Sequence, residues 1–558
     1  MNKHKKIIFI TDLEGRIEAL AQACINSRSL DGKGLYLYER DMLAETNLEQ
    51  SNWNELRLEL DDDYLFVYGG DATDHNTADI TVLRCLVELK EKYPERVTLI
   101  AGNRDLNKIR IKQELTESFI DYVFEALRKN PGVEPRWLEP NSKRFFQNFL
   151  KSDENRGWIK EVIGGRVDCE VEDYWNTLST QQKQLLYLRW SLAKNLNSPK
   201  CFENRQGELH RRGLPSSQWD ALESFLNEGS DLHYRYLKLG VLAHSVANVT
   251  FVHGGLTPGT FLTTLINEMS DHADWITSLI GSTYLKMGFK EWFLYPDSKR
   301  ATIINQFLND LECLSENDCR ALKDFVFNAM NQEMVDALDS EYISLQPDQQ
   351  FDDVESPIIA RGKINRQSLP SEVGLVGYNH INRYGDVIFE KRWLTFLHKS
   401  GCWDNVSGHI PQGEHPRVVC QTVRFILVDT TFKQKEGIPN EDVLIIEFND
   451  DGGHKITCFN SVENHYYPLM DSKGNFGAYW GETNLIWIAG EYLPEKYRAK
   501  SGIESHPWII GPRVSREGKK GYLCTQKRGP EGEFKTYTLV LTSEEIQAIK
   551  DSTQINQK

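Results

Sequence analysis

The sequence predicts an α/β protein in which polar side chains lie at the carboxyl ends of sheet strands. Short runs rich in β-branched residues alternate with helical patterns along the first hundred residues. The runs Ile7–Ile10 and Tyr64–Tyr68 lead to the acidic residues Asp12 and Asp71. Between strands, apolar residues of Asp79–Lys92 recur at i, i+4 and i+7, which places them on one helical face. Alternating strands and helices are typical of α/β sheets, where ligands bind beyond the carboxyl ends of the strands.

Composition and charge exclude several classes of protein. The chain has 558 residues, 40% of them hydrophobic and 26% charged, which is long enough for several folded units and is typical of globular proteins. The formal net charge of −16 disfavours bulk binding of nucleic acid, because like charges repel. No run approaches the roughly 18 apolar residues of a membrane span, and Ile7–Ile10 is too short for a signal peptide. With ten scattered cysteines, we expect a cytoplasmic protein with free thiols.

Long intervals separate the later strand-like runs, and they indicate insertions into one core. Asn103 and His253 are 150 residues apart (253 − 103), and His253 and His409 are 156 apart (409 − 253). Helical patterns fill both intervals, whereas glycine, aromatic residues and short strands prevail near the C-terminus. The predicted divisions are a first core part at 1–110, a helical insertion at 111–240, a core strand with His253 at 241–270, a second helical insertion at 271–370, the last core part at 371–450 and a β-rich C-terminal region at 451–558.

Five polar clusters follow strand-like runs, and each combines a glycine with a carboxylate, carboxamide or imidazole. They are Asp12-Leu13-Glu14-Gly15, Gly70-Asp71-Ala72-Thr73-Asp74, Gly102-Asn103-Arg104-Asp105, His253-Gly254-Gly255 and Gly408-His409-Ile410-Pro411-Gln412. Divalent metals bind this mixture of oxygen and nitrogen atoms, and glycine lets the backbone turn sharply beside a ligand. Ligands from five strand ends could hold two metals about 3.5–4 Å apart, as in-line displacement at phosphorus requires.

In this order the clusters resemble the motifs of the calcineurin-like metallophosphoesterase superfamily, and most closely its phosphoprotein-phosphatase branch. That family reads D-x-H-G, G-D-x-x-D, G-N-H-D/E, H-G-G and G-H along the chain. Gly408–Gln412, followed by a strand-like run ending in Asp429-Thr430, also resembles the bacterial form of the family. The resemblance implies a β-sandwich core flanked by helices. It covers 1–110, 240–260 and 370–450.

The resemblance also implies a role for each matching residue. Asp12 would bind a first metal, Asp71 would bridge two metals, and three residues would bind the second: Asn103, His253 and His409. Asp74 would orient the catalytic group, and a metal-bridging hydroxide would attack phosphorus. The expected cofactors are two divalent ions, manganese first, with magnesium, zinc or iron as alternatives.

Two positions depart from the family pattern. Glu14 replaces a metal-binding histidine, and a carboxylate can also bind a divalent metal. Arg104 replaces the general-acid histidine, and arginine is a poor proton donor but a good phosphate ligand. His75 stands where the family has an arginine, so the two residue types are exchanged. We expect Arg104 to bind phosphate and His75 or Asp74 to handle the proton.

Other residues could extend the site, and each also has a structural interpretation. Arg16 and Arg361 could contact phosphate, although surface arginine is the default for both. His415 could be a further metal ligand or a loop histidine. Asp12 could instead cap a helix over Glu14–Cys24, while Asn103 could stabilise a turn and the histidines could be buried core residues.

These observations predict a phosphomonoesterase acting on a phosphorylated protein or another phosphate ester. The helical insertions resemble the caps of bacterial effector phosphatases of this superfamily, so secretion into a host cytosol is an alternative to a cytoplasmic location. A second hypothesis is a nucleotide phosphodiesterase or dinucleoside polyphosphate hydrolase. A third is a metal-binding scaffold without turnover, because the acid histidine is missing at position 104.

Overall fold

The computed structural model has a mixed α/β architecture built around two facing β-sheets. It describes residues 6–28, 31–109, 111–121, 124, 149–150, 153–164, 175–194, 198–281, 283–286, 297–339, 391–409, 416–420, 423–429, 442–450, 453–460, 465–470, 479–480, 485–486, 509–516, 519–528 and 535–542.

The strands of the described residues form two large sheets and three small ones. They are β1 Lys6–Ile10, β2 Leu35–Glu39, β3 Met42–Leu43, β4 Leu56–Leu60, β5 Tyr64–Tyr68, β6 Val97–Leu99, β7 Ala243–Val246, β8 Val249–Val252, β9 Asp404–Ser407, β10 Arg417–Cys420, β11 Arg424–Leu427, β12 Val443–Phe448, β13 His454–Asn460, β14 His465–Met470, β15 Tyr479–Trp480, β16 Leu485–Ile486, β17 Ile509–Arg516, β18 Lys519–Arg528 and β19 Lys535–Leu541. The first large sheet has the order β14-β13-β12-β1-β5-β6, and the second has the order β10-β11-β9-β8-β7.

Each large sheet contains three neighbouring parallel strands. In the six-stranded sheet β5 pairs in parallel with both β1 and β6, and in the five-stranded sheet β9 pairs in parallel with both β8 and β11. The strands at the flanks, including β12 and β7, are antiparallel to these. The carboxyl ends of the parallel strands therefore lie together at one edge of each sheet.

Helices cover the outer faces of the two sheets and build the insertions. The α-helices are α1 Ile17–Arg28, α2 Asp79–Lys92, α3 Asn103–Lys108, α4 Ile111–Glu114, α5 Asp153–Val162, α6 Thr180–Lys194, α7 Cys201–Arg211, α8 Gln218–Ser224, α9 Ser230–Leu239, α10 Pro258–Ile280, α11 Asp297–Glu312, α12 Glu316–Asp339 and α13 Lys391–Lys399. A π-helical turn at Phe225–Gly229 joins α8 to α9, and short 3₁₀ turns lie at Trp53–Glu55, Trp175–Thr177 and Thr283–Lys286. No helix within the described ranges has the length and apolar character needed to cross a membrane.

Alternation along β1 explains how one strand serves two cores. Ile7 and Phe9 point into the layer between the two sheets, where the ring of Phe9 stacks on that of Phe251 at 5.6 Å. Ile8 and Ile10 point the other way and pack in the core formed with the outer helices. Successive side chains of a strand face opposite sides, so a fully apolar strand is expected where both faces are covered.

The helical insertion that follows α3 has its own hydrophobic core. Residues between Ile111 and Phe225 form a cluster separate from the sheet cores, with Trp190 and Leu185 fully buried in it. Its helix α7 nevertheless contacts the main body, since the carboxylate of Glu208 accepts the backbone N–H groups of Ile80 and Thr81 at 3.1 and 2.7 Å. The insertion therefore stabilises the first turn of α2.

The structure confirms the α/β class and corrects several boundaries. The predicted helix Asp79–Lys92 is α2, and four of the five predicted strand ends in the clusters follow strands at the expected runs. The fifth strand-like run, predicted over 399–406, begins too early, because Lys399 ends α13 and β9 begins only at Asp404. The six-stranded sheet also continues beyond the predicted boundary at 451, because β13 and β14 pair onto β12. The sheet extends there because β13 and β14 form hydrogen bonds with their neighbours. The composition of the local sequence does not predict this pairing.

Candidate metal centre

Six side chains with metal-ligating atoms lie within four residues of the carboxyl ends of the six parallel strands, three from each sheet. They are Asp12 after β1, Asp71 after β5, Asn103 after β6, His253 after β8, His409 after β9 and Asp429 after β11. Five of these are residues that the sequence predicted as ligands. The two sheets face each other, so their strand ends bring residues up to about 400 positions apart to one edge.

The closest contacts among these side chains join residues of the two different sheets. Asn103 and His253 come from β6 and β8, and the Oδ1 of Asn103 lies 3.1 Å from the Nε2 of His253. His409 contacts Asn103 and Asp12. Its Nδ1 is 2.8 Å from the Oδ1 of Asn103, and its backbone N–H donates to the carboxylate of Asp12 at 3.1 Å. We call Asn103, His253 and His409 the nitrogen side. Asp71 lies next to it, with its Oδ1 3.3 Å from the Nε2 of His253.

The remaining candidate ligands of the site are carboxylates. Asp429 follows β11, which pairs with β9 on the side away from β8, and it is buried like Asp12. Glu14 lies two residues beyond Asp12 in the same turn. We call Asp12, Glu14 and Asp429 the carboxylate side.

The buried ring of His253 is held in the tautomer that suits a metal ligand. Its Nδ1 lies 2.9 Å from the carbonyl oxygen of Gly69, and since a carbonyl cannot donate, Nδ1 carries the proton. In the neutral ring the lone pair of Nε2 then points towards Asn103 and Asp71. A hydrogen bond from the second ring nitrogen commonly fixes the orientation and tautomer of ligating histidines.

Asp71, His253 and His409 form a possible metal-binding triad. One ligand atom from each residue lies within 4.8 Å of those of the other two. The Oδ1 of Asn103 faces both imidazoles and adds a carboxamide oxygen to the set. Imidazole nitrogens together with carboxylate and amide oxygens suit manganese, zinc or iron. The residues present thus fit one divalent cation on the nitrogen side.

Backbone strain is concentrated at this site. Of the seven non-glycine residues with positive φ in the described parts of the chain, five belong here: Asp12, Glu14, Asp71, Asp74 and His409. Such conformations are unfavourable for residues with a Cβ, and they persist only where surrounding contacts impose them. Their clustering at one edge of the sandwich indicates that this edge is maintained for a purpose other than stability.

Close backbone approach explains two of the glycines in the clusters. A Cβ at Gly102 would overlap the backbone nitrogen and Oδ1 of Asp71, and a Cβ at Gly408 would overlap the carboxylate of Asp12. Both positions therefore require glycine, because the backbone passes very close to a candidate ligand residue.

The carboxylates of the site destabilise one another as anions. Burial raises the pKa of Asp12, and Asp429 and Asp71 raise it further. Burial also raises the pKa of Glu14 to about 8, helped by Asp71 and Asp429 and opposed by Arg104. Buried like charges favour protonation unless a cation is close. The carboxylate side therefore has the electrostatics of a site completed by a cation.

Asp71 differs from the other carboxylates because two imidazoles and a guanidinium lie close to it. Burial alone would raise its pKa, but His253, His409 and Arg104 overcome burial and lower the pKa to about 2. Its oxygens also contact backbone, since the N–H of Arg104 donates to Oδ1 at 2.9 Å. Asp71 is thus an anion at the centre of the site at any physiological pH.

The guanidinium of Arg104 lies among three carboxylates. Its Nε is 3.1 Å from Glu14 and 3.4 Å from Asp71, and its Nη1 is ion-paired with Asp74. About a quarter of the side chain is exposed, so the group borders both the buried ligands and the solvent. The carboxyl group of Glu14 is therefore a direct partner of Arg104.

Asp74 and His75 lie beside this arginine but have different surroundings. Asp74 is buried and also accepts a hydrogen bond from Ser198. His75 is half-buried, and its Nδ1 lies 3.5 Å from the Oγ of Ser198. Burial, and then the charge of Arg104, lower the pKa of His75. A histidine with this pKa is neutral near pH 7 and can accept a proton.

The structure excludes one alternative role for Asp12 and shows the surroundings of Arg16. Helix α1 begins at Ile17, five residues after Asp12, so the helix-cap interpretation of Asp12 is wrong. Arg16 is buried, not on the surface, and its Nε donates to the carbonyl of Leu13 at 3.3 Å. Arg361 and His415 lie outside the described residues.

Two acidic residues of the site are absent from the predicted set. Asp105 is fully buried, and its carboxylate accepts the backbone N–H groups of Asp71, Ala72 and Gly102, each at 2.9 Å. It thereby holds the turn that carries Asp71. Asp429 belongs to the Asp429-Thr430 pair that resembles the bacterial form of the family. The apolar run before it was the signal that could have identified it as a sixth strand-end residue.

Comparisons with known proteins leave the family open. No family model matches the chain, and no curated protein matches it. Two solved structures are similar to it: a cold-active protein-tyrosine phosphatase of a psychrophilic Shewanella species, and a point mutant of a cold-active protein tyrosine phosphatase. Each is 12% identical, covers 84% of this chain and 83% of its own, with TM-scores of 0.29 and 0.28. Scores of this size carry no argument about fold or activity.

Proposed function

We propose that the chain is a dinuclear-metal-dependent phosphoesterase that hydrolyses phosphomonoesters, with phosphorylated proteins as the substrate class. The observation that carries the proposal is the meeting of six candidate ligands at one edge of two facing sheets. A general acid, a phosphate-binding cation and a metal set are the parts that phosphoryl transfer to water requires.

The two sides of the site would hold different ions. Asp71 with the nitrogen side, defined above, supplies a mixed nitrogen and oxygen set. Asp71 with Asp12 and Glu14 supplies an all-oxygen set, to which Asp429 is close. Bound divalent ions would supply a nucleophile at neutral pH by lowering the pKa of water, and would offset the negative charge of the phosphate. Manganese satisfies both donor sets, and magnesium, zinc or iron are the alternatives.

Arg104 is the residue best placed to bind phosphate. It is the cation at the boundary between the carboxylates and the solvent, and guanidinium binds phosphate oxygens in pairs. Once metals neutralise Glu14 and Asp71, fewer carboxylates compete for Arg104. His75, neutral near pH 7 because its pKa is lowered, is the residue available to take up or deliver a proton through the nearby polar groups.

The missing acid histidine at position 104 favours a substrate with a good leaving group. A guanidinium does not give up its proton, and the carboxylates raise the pKa of Arg104 above its already high value. An aryl phosphate such as phosphotyrosine leaves with less need of protonation than an alkyl phosphate. We therefore expect turnover to be faster on aryl than on alkyl phosphates.

One observation favours a second candidate, a metal-binding scaffold without turnover. Arg104 is ion-paired with Glu14, Asp71 and Asp74, which balances much of the carboxylate charge in place of a metal. If this arginine remained there with one metal bound on the nitrogen side, the protein would bind metal and phosphate but not hydrolyse esters.

The test is turnover of p-nitrophenyl phosphate by protein stripped of metal and then supplied with manganese, magnesium, zinc or iron. We expect metal-dependent turnover that falls at least about 10³-fold in Asp71→Asn. Asp231→Asn, which changes an exposed aspartate of α9, is the matched control and should leave the rate unchanged. Bound metal without turnover on any aryl or alkyl phosphate would reject the enzyme and favour the scaffold.

A further inference from the structure

Helix α3 presents two cations to one carboxylate. Arg104 and Lys108 are four residues apart, so they lie on the same face of the helix. Asp74 lies between them: Arg104 is paired with one of its oxygens, and the Nζ of Lys108 is 2.7 Å from the other. The two cations therefore grip opposite oxygens of the same carboxylate.

The side chain of Lys108 is almost completely buried. Its side chain and that of Asp74 are each 2% exposed. The Sγ of Cys201, from helix α7 of the insertion, lies 3.5 Å from the Nζ of Lys108. Burying an ammonium group costs free energy that its ion pair only partly offsets, so a fully buried lysine is poor evidence of a stabilising role.

We propose that Lys108 is a positioning residue of the phosphate site: it fixes Asp74 and, through Asp74, aims the guanidinium of Arg104 at the bound phosphate. The inference rests on the proposed function and deepens it. Lys108 itself is too enclosed to touch a substrate, whereas Arg104 reaches the solvent boundary. The chain of contacts runs from Lys108 to one oxygen of Asp74, and from the other oxygen to Arg104.

This arrangement separates the roles of Asp74 and His75. Burial alone would raise the pKa of Asp74, but Lys108 first and Arg104 second overcome it and hold the pKa below its usual value. The remaining neighbours of Asp74 are Ser198, which donates a hydrogen bond, and Asp79, whose Oδ1 accepts the backbone N–H of Asp74 at 2.9 Å. Asp74 is therefore an anchor for Arg104, and proton handling belongs to His75.

A double-mutant cycle on the full chain tests the inference. The variants are Lys108→Met, Asp74→Asn and the double substitution, with Lys112→Met as control, because Lys112 is exposed on the next helix and pairs with exposed Asp231. The double variant removes both buried charges together, so it can fold even if Lys108→Met alone is unstable. Two readouts are used for each: kcat and KM for p-nitrophenyl phosphate against pH, and binding of inorganic phosphate to the manganese-loaded protein by calorimetry.

We expect Lys108→Met to lower kcat/KM about 100-fold, because a displaced Arg104 no longer meets the phosphate. Phosphate binding should weaken in parallel, and the acidic limb of the pH profile should move to higher pH, because Asp74 loses the cation that keeps it ionised. In the Asp74→Asn background the same lysine substitution should have no further effect. Lys112→Met should behave as wild type.

Three results would overturn the inference. Equal losses from Lys108→Met with and without Asp74 would show that the lysine acts independently of that carboxylate. An unmoved acidic limb in a folded Lys108→Met protein would show a merely structural role. Unchanged phosphate binding would show that Arg104 does not depend on the pair. If wild type binds phosphate but has no turnover, the proposed function fails, and the phosphate affinities alone decide the role of Lys108.

Discussion

Buried carboxylates lie at both ends of strand β9, but their surroundings differ. At its start Asp404 is fully buried, and Arg424 grips both of its oxygens while His454 lies 2.6 Å from Oδ2. Beyond its end, Gly408 and His409 enter the candidate metal centre. There the acidic groups crowd one another, and Arg104 is the cation in direct contact with several of them.

The contrast separates a structural acid from a functional one. Asp404 ties β9 to β11 in its own sheet and to β13 in the other sheet, so its charge is balanced by groups that also join the two layers. The carboxylates at the other end raise one another's pKa and lie on a strained backbone. A buried acid that is fully paired is costly to remove, because its partners lose their counter-charge. An acid left among like charges is poised for a cation from outside the chain.

The largest expected effect is that a substitution at one end of β9 mainly lowers stability, whereas a substitution in the metal centre at the other end mainly lowers metal affinity. Asp404→Asn should lower the free energy of unfolding by about 3–5 kcal/mol, because Arg424 and His454 lose their buried partner. It should leave manganese affinity unchanged. Asp71→Asn should abolish manganese binding, and it should lower the free energy of unfolding by less than Asp404→Asn does. Urea unfolding and calorimetric titration of both variants measure this, and a loss of metal affinity in Asp404→Asn would break the comparison.

A smaller effect concerns the dependence of stability on pH at the carboxylate side. The pKa of Glu14 is raised from 4.5 to about 8 in the folded protein, so its contribution is fully present below pH 4.5 and is lost as pH rises through 8. Without metal, Glu14→Gln should therefore gain stability relative to wild type as pH rises from 5 to 8. With saturating manganese the variant should be the less stable protein at pH 8, because a ligand is missing.

Melting temperatures of both proteins across this pH range, with and without metal, are the measurement. Comparing the two proteins cancels the contributions of other buried groups, such as His233 and His244, whose pKa values are lowered and which act in the opposite direction. A difference between the proteins that stays constant with pH in the absence of metal would contradict the expected protonation of Glu14.

The smallest effect concerns Gly102 of the metal centre, whose backbone lies very close to Asp71. Gly102→Ala should destabilise the protein by about 1–3 kcal/mol, because the new Cβ meets Asp71. Gly207→Ala in helix α7 is the matched control. Its Cβ would meet no atom within 4 Å, so it should stabilise the helix by about 0.5–1 kcal/mol. Urea unfolding of the two variants should give shifts of opposite sign.

Local patterns in the sequence were sufficient to identify the ligand candidates one at a time. Apolar runs with small or polar residues after them predicted β1, β5, β6 and β8, because a strand buried on both faces is apolar throughout and its end is where polar groups can emerge. Helical periodicity predicted α2 for the same local reason. The run before His409 was predicted over 399–406 and is a strand only in its last part, since Lys399 ends a helix and β9 begins at Asp404.

The sequence by itself therefore determined the α/β class, the strand ends and the residue types of a candidate metal centre. Only the tertiary structure decided which ends meet, that Asp429 joins the carboxylate side, and that Lys108 and Arg104 share Asp74. The reason is physical: strand and helix periods depend on neighbours a few residues away, whereas the pairing of strands 150 residues apart depends on how two apolar sheet faces pack together. The charges that surround each carboxylate follow from that packing.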